Sequence, residues 1–428
     1  MKRVFALLIT LLLALGLCAP ALAAQEGSYE IANPYRDVVW GGHDGWDAYR
    51  SNLHGHTTFS DGTDDMQSMV EAYYAHGYDV IANTDHGVTS VPWDKRPKIL
   101  PLLHLPNINR THELLSSERV SEINAGAGRG GRGMLQVPMG NELQAATPYK
   151  SHVVGLYTDW GQGWLGFSFD YRIPIAGVHR NGGITFIAHP GDWLESKDDP
   201  AIARDPGNVN YFADILRDYD SCLGIEIYNA ADNETRYDRI FWDQLLMRLM
   251  PEGRPVWGFA VDDSHNVGDV GRQATMLLMP GRTAADVRAC LESGAFLACS
   301  RRDRVLGIDV SDKSIPFPGV TNIVVEGNTI TLEAIDYTTI EWIADGEVVG
   351  EGPVVDLTDP RITCYVRAQI IGEGGITATQ PFGVDKGDGY THPDDAPKGL
   401  EKALWYAKMV LTRNVAAFLA EFIVKQFA

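Results

Sequence analysis

The sequence predicts a mixed α/β protein that contains an α/β barrel, a small all-β domain and a C-terminal helix. From Tyr49 to Arg302, short apolar runs alternate with helical patterns, as expected of repeated strand–helix units around a parallel sheet. After Arg302, apolar and polar residues alternate in short segments, which is typical of antiparallel strands in a sandwich. The predicted units are a barrel at residues 24–302, a sandwich-like domain at 303–384, a polar linker at 385–399 and a helical tail at 400–428.

Capping residues and apolar runs predict the elements of the barrel. A helix is expected over 66–76, with Asp64 or Asp65 as its cap, and another over 237–250, ended by Pro251. Six apolar runs are expected to be strands that are buried on both faces, at 79–85, 152–157, 183–190, 224–229, 256–263 and 274–280.

The first 23 residues are typical of a secretion signal. Lys2 and Arg3 precede an apolar run at 4–17, and small residues at 21–23 provide a cleavage site. A lipoprotein signal at Cys18 is the less favoured alternative, because the preceding residue is a leucine where a small residue is expected. We therefore expect the mature chain to lie outside the cytoplasm, either secreted or in the cell envelope.

The chain is acidic, with a formal net charge of −20 that becomes −22 when Lys2 and Arg3 are removed with the signal. A surface this negative repels the phosphates of nucleic acids and anionic lipids. The charge therefore argues against a nucleic-acid partner. It leaves open a small-molecule substrate that enters a metal-lined pocket, and the sequence does not determine the oligomeric state.

Four cysteines follow the signal, and none is spaced like a metal-binding C-x-x-C pair. Export would permit disulfides, but buried free thiols are the favoured interpretation. The tail is apolar and helical, with Lys408, Arg413 and Glu421 interrupting it on more than one face. Two interpretations of the tail stay open: contact with a membrane or partner subunit, or docking on the protein's own body.

The stretch NLHGHTTFSDGTDD, residues 52–65, predicts half of a metal site. Residues i and i+2 of a strand share a face, so His54 and His56 point the same way, and paired imidazoles are common metal ligands. Candidate ligands also accompany the later strands, and active sites of parallel α/β barrels lie where the strands end. These later candidates are Asp85, His86, Glu142, His152, His189, Asp263 and His265.

These motifs together resemble the PHP metal-dependent hydrolases, a family named for polymerase and histidinol phosphatase domains. The matching motifs are HGH with the following SDG, then TDH, GNE, SHVVG, AHP and DSH, in the family's order over residues 50–265. The resemblance implies a distorted seven-stranded barrel. The export signal and the appended β domain resemble a secreted branch that includes carbamate-hydrolysing members.

The resemblance also implies a cluster of two or three divalent ions, with Zn²⁺, Mn²⁺ and Fe²⁺ all suited to the donors. Glu142 would bridge two ions. Asp263 is chosen over Asp262 because the family pattern is D-x-H. The implied ligands are His54, His56, Asp61, His86, Glu142, His152, His189, Asp263 and His265.

Two carboxylates are assigned catalytic roles. A bridging hydroxide is the expected nucleophile, because a divalent ion lowers the pKa of bound water toward ~7. Asp263 is expected to take the proton from that water, and Asp85 to orient a ligand histidine from behind it.

Four further residues are candidate substrate contacts. Arg129 and Arg132 lie in the glycine-rich stretch GAGRGGRG, which is either a lid over the substrate or, as we favour, an ordinary mobile surface loop. Arg272 and Asn229 lie near strand ends.

The sequence thus predicts a secreted metal-dependent hydrolase that acts on small phosphate esters. Hydrolysis of carbamates, amides or carboxylic esters by the same metal cluster is the first alternative, and the residues do not separate the two. A noncatalytic, metal-containing binding protein on the cell surface is the second, which the complete ligand set argues against.

Overall fold

The computed structural model describes residues 29–99, 110–144, 150–164, 170–230 and 233–412. The predicted signal peptide and the end of the apolar tail, residues 413–428, lie outside the described residues. Their assignments stay predictions.

The described chain is a mixed α/β structure, as the sequence predicts. Its strands are β1 Glu30–Ala32, β2 Asp47–Asn52, β3 Val80–Ile81, β4 Leu135–Gln136, β5 Asn141–Leu143, β6 Val153–Leu156, β7 Ile184–Ile187, β8 Cys222–Asn229, β9 Trp257–Val261, β10 Gln273–Met279, β11 Phe296–Ser300, β12 Arg302–Asp303, β13 Ile308–Asp309, β14 Gly319–Glu326, β15 Thr329–Ile335, β16 Thr339–Ala344, β17 Glu347–Glu351, β18 Val354–Asp356, β19 Tyr365–Gly372, β20 Gly375–Thr379 and β21 Phe382–Asp385. Its α-helices are α1 Met66–Ala75, α2 Ser117–Ala125, α3 Arg172–Arg180, α4 Pro190–Leu194, α5 Pro200–Ala203, α6 Pro206–Asp218, α7 Asp238–Leu249, α8 Ala284–Ser293 and α9 Gly399–Met409.

Two main sheets form the scaffold. One contains β5-β6-β7-β8-β9 in that order, and the other runs β1-β21-β19-β20-β11-β10-β2-β3-β4, with β16 and β17 joined beside β19. Isolated parallel bridges between Gly55 and Ser264 and between His86 and Glu142 connect the two sheets. The expected seven-stranded barrel is therefore not seen as one closed sheet within the described ranges. At each of the two junctions between the sheets, a single bridge takes the place of continuous strand pairing.

Strand direction differs from the expected all-parallel arrangement. Strands β2, β3 and β4 are parallel, as are β7, β8 and β9, but β6 is antiparallel to both β5 and β7, and β10 is antiparallel to β2. Reversing β6 puts its beginning at the edge where β7 ends. His152, which precedes β6, consequently lies at the same edge as His189, which follows β7.

Both predicted helices form close to their expected ends. Helix α1 begins after Asp65, whose side chain accepts a hydrogen bond from the Ser68 backbone N–H at 2.9 Å and so satisfies a free donor of the first turn. Helix α7 ends at Leu249, and Pro251 falls in the short 3₁₀ turn that follows. Proline cannot donate the hydrogen bond that a continuing helix needs.

The C-terminal β region shares a sheet with the N-terminal unit. Strand β20 pairs with β11 across the predicted boundary at residues 302 and 303, so main-chain hydrogen bonds join the two parts. Arg367 of β19 also donates to Asp243 of α7 at 2.8 and 2.7 Å, and both side chains are buried. A separate three-stranded sheet of this region, β14-β15-β18, contributes Ile330 and Leu332 to a core shared with Trp342 of β16.

The described part of the tail docks on the protein's own body. Trp405 of α9 lies against Tyr211 of α6, with ring centroids 5.8 Å apart, and Lys402 lies 3.1 Å from Asp214. Met409 is buried, whereas Leu400 and Leu404 on the other side of the helix are exposed. Within the described ranges, no helix combines the length and apolarity needed to cross a membrane.

The four cysteines that follow the signal are buried and unbridged, which confirms the favoured interpretation. Burial raises the pKa of Cys222 and Cys299 to about 11 each and that of Cys364 to about 12. These thiols are therefore protonated at neutral pH and serve as core residues.

Candidate metal centre

The centre is built on two neighbouring turns, one after β2 and one after β9. The His56 backbone N–H donates to the Ser264 carbonyl at 2.8 Å, and the Asp263 N–H donates to the His54 carbonyl at 3.1 Å. Gly55 lies between the turns, where a Cβ would come within 3.0 Å of the Ser264 and Tyr73 hydroxyls. The glycine of the HGH motif thus lets the two ligand-bearing turns pack together.

Glu142 lies at the middle of the centre and is buried. Its two oxygens face different histidines, which is the arrangement expected of a carboxylate that bridges two ions. Oε2 lies 3.0 Å from His54 Nε2, 3.1 Å from His56 Nε2 and 3.1 Å from His86 Nδ1, while Oε1 lies 2.9 Å from His152 Nδ1 and 3.0 Å from His189 Nε2.

A second group of carboxylates closes the outer side. Asp263 Oδ1 lies 3.1 Å from His56 Nε2 and 3.4 Å from His54 Nε2. Asp61 Oδ2 lies 3.3 Å from His265 Nε2 and 3.5 Å from His86 Nε2. All nine residues implied by the family resemblance are therefore brought together around one point.

Electrostatic coupling within the centre is strong. Burial opposes protonation of His54, but Asp263, Glu142 and Glu226 raise its pKa well above the usual value. Against burial, Glu142 likewise raises the pKa of His189 to about 9. Burial opposes ionisation of Glu142, yet the surrounding histidines hold its pKa well below the usual range. The carboxylates thus require positive charge beside them, which protons or metal ions can supply.

The donors fit divalent metal ions. The nine residues form overlapping groups of three whose ligand atoms lie within 4.8 Å of one another, and each group combines imidazole nitrogen with carboxylate oxygen. Among the described residues, the buried Nε2 of His152 and Nδ1 of His189 also have no hydrogen-bond partner, although a buried polar atom normally has one. A nitrogen- and oxygen-rich set of this kind suits Zn²⁺, Mn²⁺ or Fe²⁺.

The adjacent aspartates 262 and 263 have separate roles. Asp262 is buried behind the turn, where it accepts hydrogen bonds from the Gly271, Arg272 and Gln273 N–H groups at 2.8–2.9 Å. Asp263 faces the centre, as the D-x-H pattern implies. The backbone of Asp263 has a φ of +44°, a conformation that costs about 1–3 kcal/mol and is commonly found at functional sites.

Glu226 is a residue of the centre that the sequence analysis missed. Its Oε1 accepts a hydrogen bond from His54 Nδ1 at 2.7 Å, and its Oε2 accepts one from the His189 backbone N–H at 2.8 Å. A proton held on Nδ1 leaves Nε2 of His54 free to bind a metal ion. The available signal was an acidic residue inside the apolar run GIEIYN, because a buried carboxylate requires partners.

Asp85 contacts no ligand histidine directly. It accepts hydrogen bonds from the Thr57 N–H at 2.7 Å and from the Ser60 hydroxyl at 2.8 Å. Ser60 Oγ in turn lies 3.3 Å from His56 Nδ1. The expected orienting role is thus indirect, since Asp85 fixes the turn that carries His56, and the structure gives it no contact with a reacting group.

Of the four predicted substrate contacts, only Asn229 reaches the centre. Its Nδ2 lies 3.2 Å from Asp263 Oδ2 and 2.8 Å from Glu226 Oε2. Arg272 is directed instead to Asp269, at 3.1 Å.

A lid over the substrate, the less favoured interpretation of the glycine-rich stretch, is not seen in the described residues. Arg129 donates to Asp79 Oδ1 at 2.8 Å, and Arg132 donates to both Asp79 oxygens at 2.8 Å. Arg132 also donates to Asp47 at the beginning of β2, whereas His54 follows the end of that strand. A buried carboxylate therefore holds both guanidinium groups at the opposite end of the strand from the centre.

The centre opens into a cavity of about 390 Å³. Its wall includes Asn229, Thr235 and Asn233, together with Lys150, Asp192 and Glu234. A cavity of this size suits a small molecule.

Comparison with known proteins gives structural matches alone. No family model and no curated protein matches the chain. A two-domain protein from Bacteroides vulgatus, described as containing a predicted PHP-like metal-dependent phosphoesterase, is 13% identical, with 81% of this chain and 98% of that chain covered at a TM-score of 0.41.

Two further solved structures are similar over about half of the chain. A proposed metal-dependent phosphoesterase from Bifidobacterium adolescentis is 14% identical, covering 51% of this chain and 88% of that one at a TM-score of 0.31. A lesion-specific endonuclease from Pyrococcus furiosus is 11% identical, covering 57% and 56% at a TM-score of 0.31.

Proposed function

We propose that this protein is an exported metal-dependent hydrolase that acts on small phosphate esters. The observation that carries the proposal is the convergence of nine candidate metal ligands, eight of which line a cavity of about 390 Å³. The predicted signal at residues 1–23 supports action outside the cytoplasm.

The residues of the centre have distinct tasks in this proposal. Glu142 presents one oxygen to His54, His56 and His86 and the other to His152 and His189, so it would hold two ions side by side. Divalent ions bound there would activate water at neutral pH and neutralise charge on the substrate.

Asp263 would accept the proton, and Asn229 would orient it. Asp263 lines the cavity, and its Oδ2 accepts a hydrogen bond from Asn229 at 3.2 Å. This contact orients the carboxylate toward the cavity, where it would accept a proton from the attacking water.

Hydrolysis of carbamates, amides or carboxylic esters is the second candidate. Among the described residues that line the cavity there is no arginine, and Asp192 and Glu234 add negative charge to the wall. A neutral substrate would meet less repulsion there than a phosphate ester, so this observation favours the second candidate.

A hydrolysis panel on the mature protein tests both candidates. The protein is reconstituted separately with Zn²⁺, Mn²⁺ and Fe²⁺ and assayed with phosphomonoesters, phosphodiesters, aryl carbamates and carboxylic esters, with His54→Ala and His189→Ala as blanks. Turnover of phosphate esters that both blanks lack is the expected result. Turnover of carbamates or carboxylic esters alone would move the protein to the second candidate, and tight metal binding without any turnover would point to a binding protein.

A further inference from the structure

One ion pair lies in the wall of the cavity beside the centre. Lys150 Nζ lies 2.5 Å from Asp192 Oδ1. Lys150 precedes His152 by two residues and Asp192 follows His189 by three, so the pair lies on the side of the two histidines that face Glu142 Oε1. The Lys150 side chain is 48% exposed and accessible from the cavity.

Lys150 is the only lysine or arginine among the described residues that line this cavity. The remaining charged side chains of the lining are carboxylates and histidines of the centre, together with Asp192 and Glu234. A phosphate monoester carries a charge of about −1.5 to −2 at pH 7. Apart from the histidines of the centre, Lys150 is therefore the one cationic side chain in the described wall that could pair with a phosphoryl oxygen that points away from the metal ions.

A lysine side chain can readily exchange one anionic partner for another. The ammonium is a compact charge with three donors on a flexible stem, so Nζ can turn from one carboxylate oxygen to another anionic oxygen without movement of the backbone. Asp192 belongs to helix α4, and its carboxylate keeps Nζ at the cavity wall.

We propose that Lys150 binds the phosphoryl group of the substrate and that Asp192 competes with the substrate for the same ammonium group. This inference rests on the proposed function, since a neutral ester would give Lys150 no charge to bind. It assigns the recognition of phosphate to Lys150 in place of the two arginines of the glycine-rich loop.

The chain supplies a matched control for this assignment. Lys197 pairs with Glu234 at 3.0 Å, and Glu234 belongs to the cavity lining, but Lys197 does not. Lys197→Gln therefore removes a similar ion pair and the same charge from the neighbourhood without removing a group that faces the cavity.

The test is calorimetric titration of the metal-reconstituted protein with inorganic phosphate, alongside KM for a phosphomonoester. Lys150→Gln is expected to weaken phosphate binding about tenfold or more, as for loss of one charge-assisted hydrogen bond. Lys150→Arg should retain most of the affinity, and Asp192→Asn should increase it several-fold. Lys197→Gln should leave phosphate affinity and KM for the phosphomonoester unchanged.

Equal phosphate affinity of the wild type and Lys150→Gln, at equal metal content, overturns the inference and leaves the hydrolase proposal intact. If Lys150→Gln loses its metal, Asp192→Asn decides, because unchanged phosphate affinity in that variant also overturns the inference. Absence of phosphate-ester turnover in the wild type overturns the proposed function instead, and the binding titration still reports on Lys150.

Discussion

The glycine-rich loop at 126–133 and the turns around Glu142 both carry ionisable side chains. The side chains of the two regions differ in the partners that they contact. In the loop, Arg129 and Arg132 both donate to the buried carboxylate of Asp79, at the opposite end of β2 from the centre. Around Glu142, five imidazoles surround one carboxylate, and four of them line the cavity. The comparison teaches that a flexible, cationic loop does not identify a substrate contact when a buried opposite charge lies within its reach.

The largest effect is expected from Glu142. Glu142→Gln removes the charge that faces all five histidines, so we expect loss of metal and a fall in kcat/KM of at least ~10³, equivalent to about 4 kcal/mol. Metal content by elemental analysis and steady-state kinetics measure both. His112→Gln is the control, since His112 lies against Phe59 outside the cluster. Full metal content in Glu142→Gln would contradict the bridging role.

The second-largest effect is expected at Asp79, and it should change only the stability of the protein. Asp79 is 1% exposed and holds both arginines of the loop. Asp79→Asn leaves the guanidinium groups of Arg129 and Arg132 without this buried carboxylate, so the free energy of unfolding should fall by about 3 kcal/mol. Urea denaturation measures this loss. Metal content and KM should stay at wild-type values, and a rise in KM without loss of stability would restore the lid interpretation.

Changing Glu226 tests whether a residue that only supports a ligand histidine affects metal affinity. Glu226→Gln keeps the shape of the side chain but no longer stabilises the proton on His54 Nδ1, so metal affinity should fall about 10–100-fold. Competition with a metal chelator measures the dissociation constant. Glu234→Gln is the control, because it makes the same change in a glutamate of the cavity wall and should leave metal affinity unchanged. Unaltered affinity in Glu226→Gln would show that the 2.7 Å contact does not orient His54.

The smallest effect is expected at the exposed end of the arginine loop. Arg132 is 39% exposed, so Arg132→Ala should lower the free energy of unfolding by no more than about 1 kcal/mol. KM for every substrate should be unchanged. A several-fold rise in KM for phosphate esters would instead indicate that the arginine loop contacts the substrate.

Much of the fold was predictable because local patterns determine it. Each of the six apolar runs contains a strand, and the two predicted helices end where Gly77 and Pro251 follow them. Strand direction was not predictable, because an apolar run reads the same in either direction. The antiparallel setting of β6 depends on its neighbours, and so does the continuation of the sheet from β11 to β20.

The candidate ligands were predictable as a set, and their supporting residues were not. Histidines and carboxylates after strands form a recognisable series of motifs, and the structure brings all nine together. Glu226 lies within an apolar run whose sequence does not reveal that His54 is its partner, 172 residues away. Lys150 likewise stands in no motif, and only its approach to Asp192 and the cavity distinguishes it from other lysines.

The sequence by itself determined the residue types that can bind metal, the order of strands and helices, and the acidic character of the chain. Tertiary structure alone decided which charges meet. It paired Arg129 and Arg132 with Asp79, placed Asn229 against Asp263 and put Lys150 in the cavity wall. The physical reason is that chemical identity and short-range conformation are properties of neighbouring residues in the chain, whereas the partner of a charge depends on which distant segments fold against it.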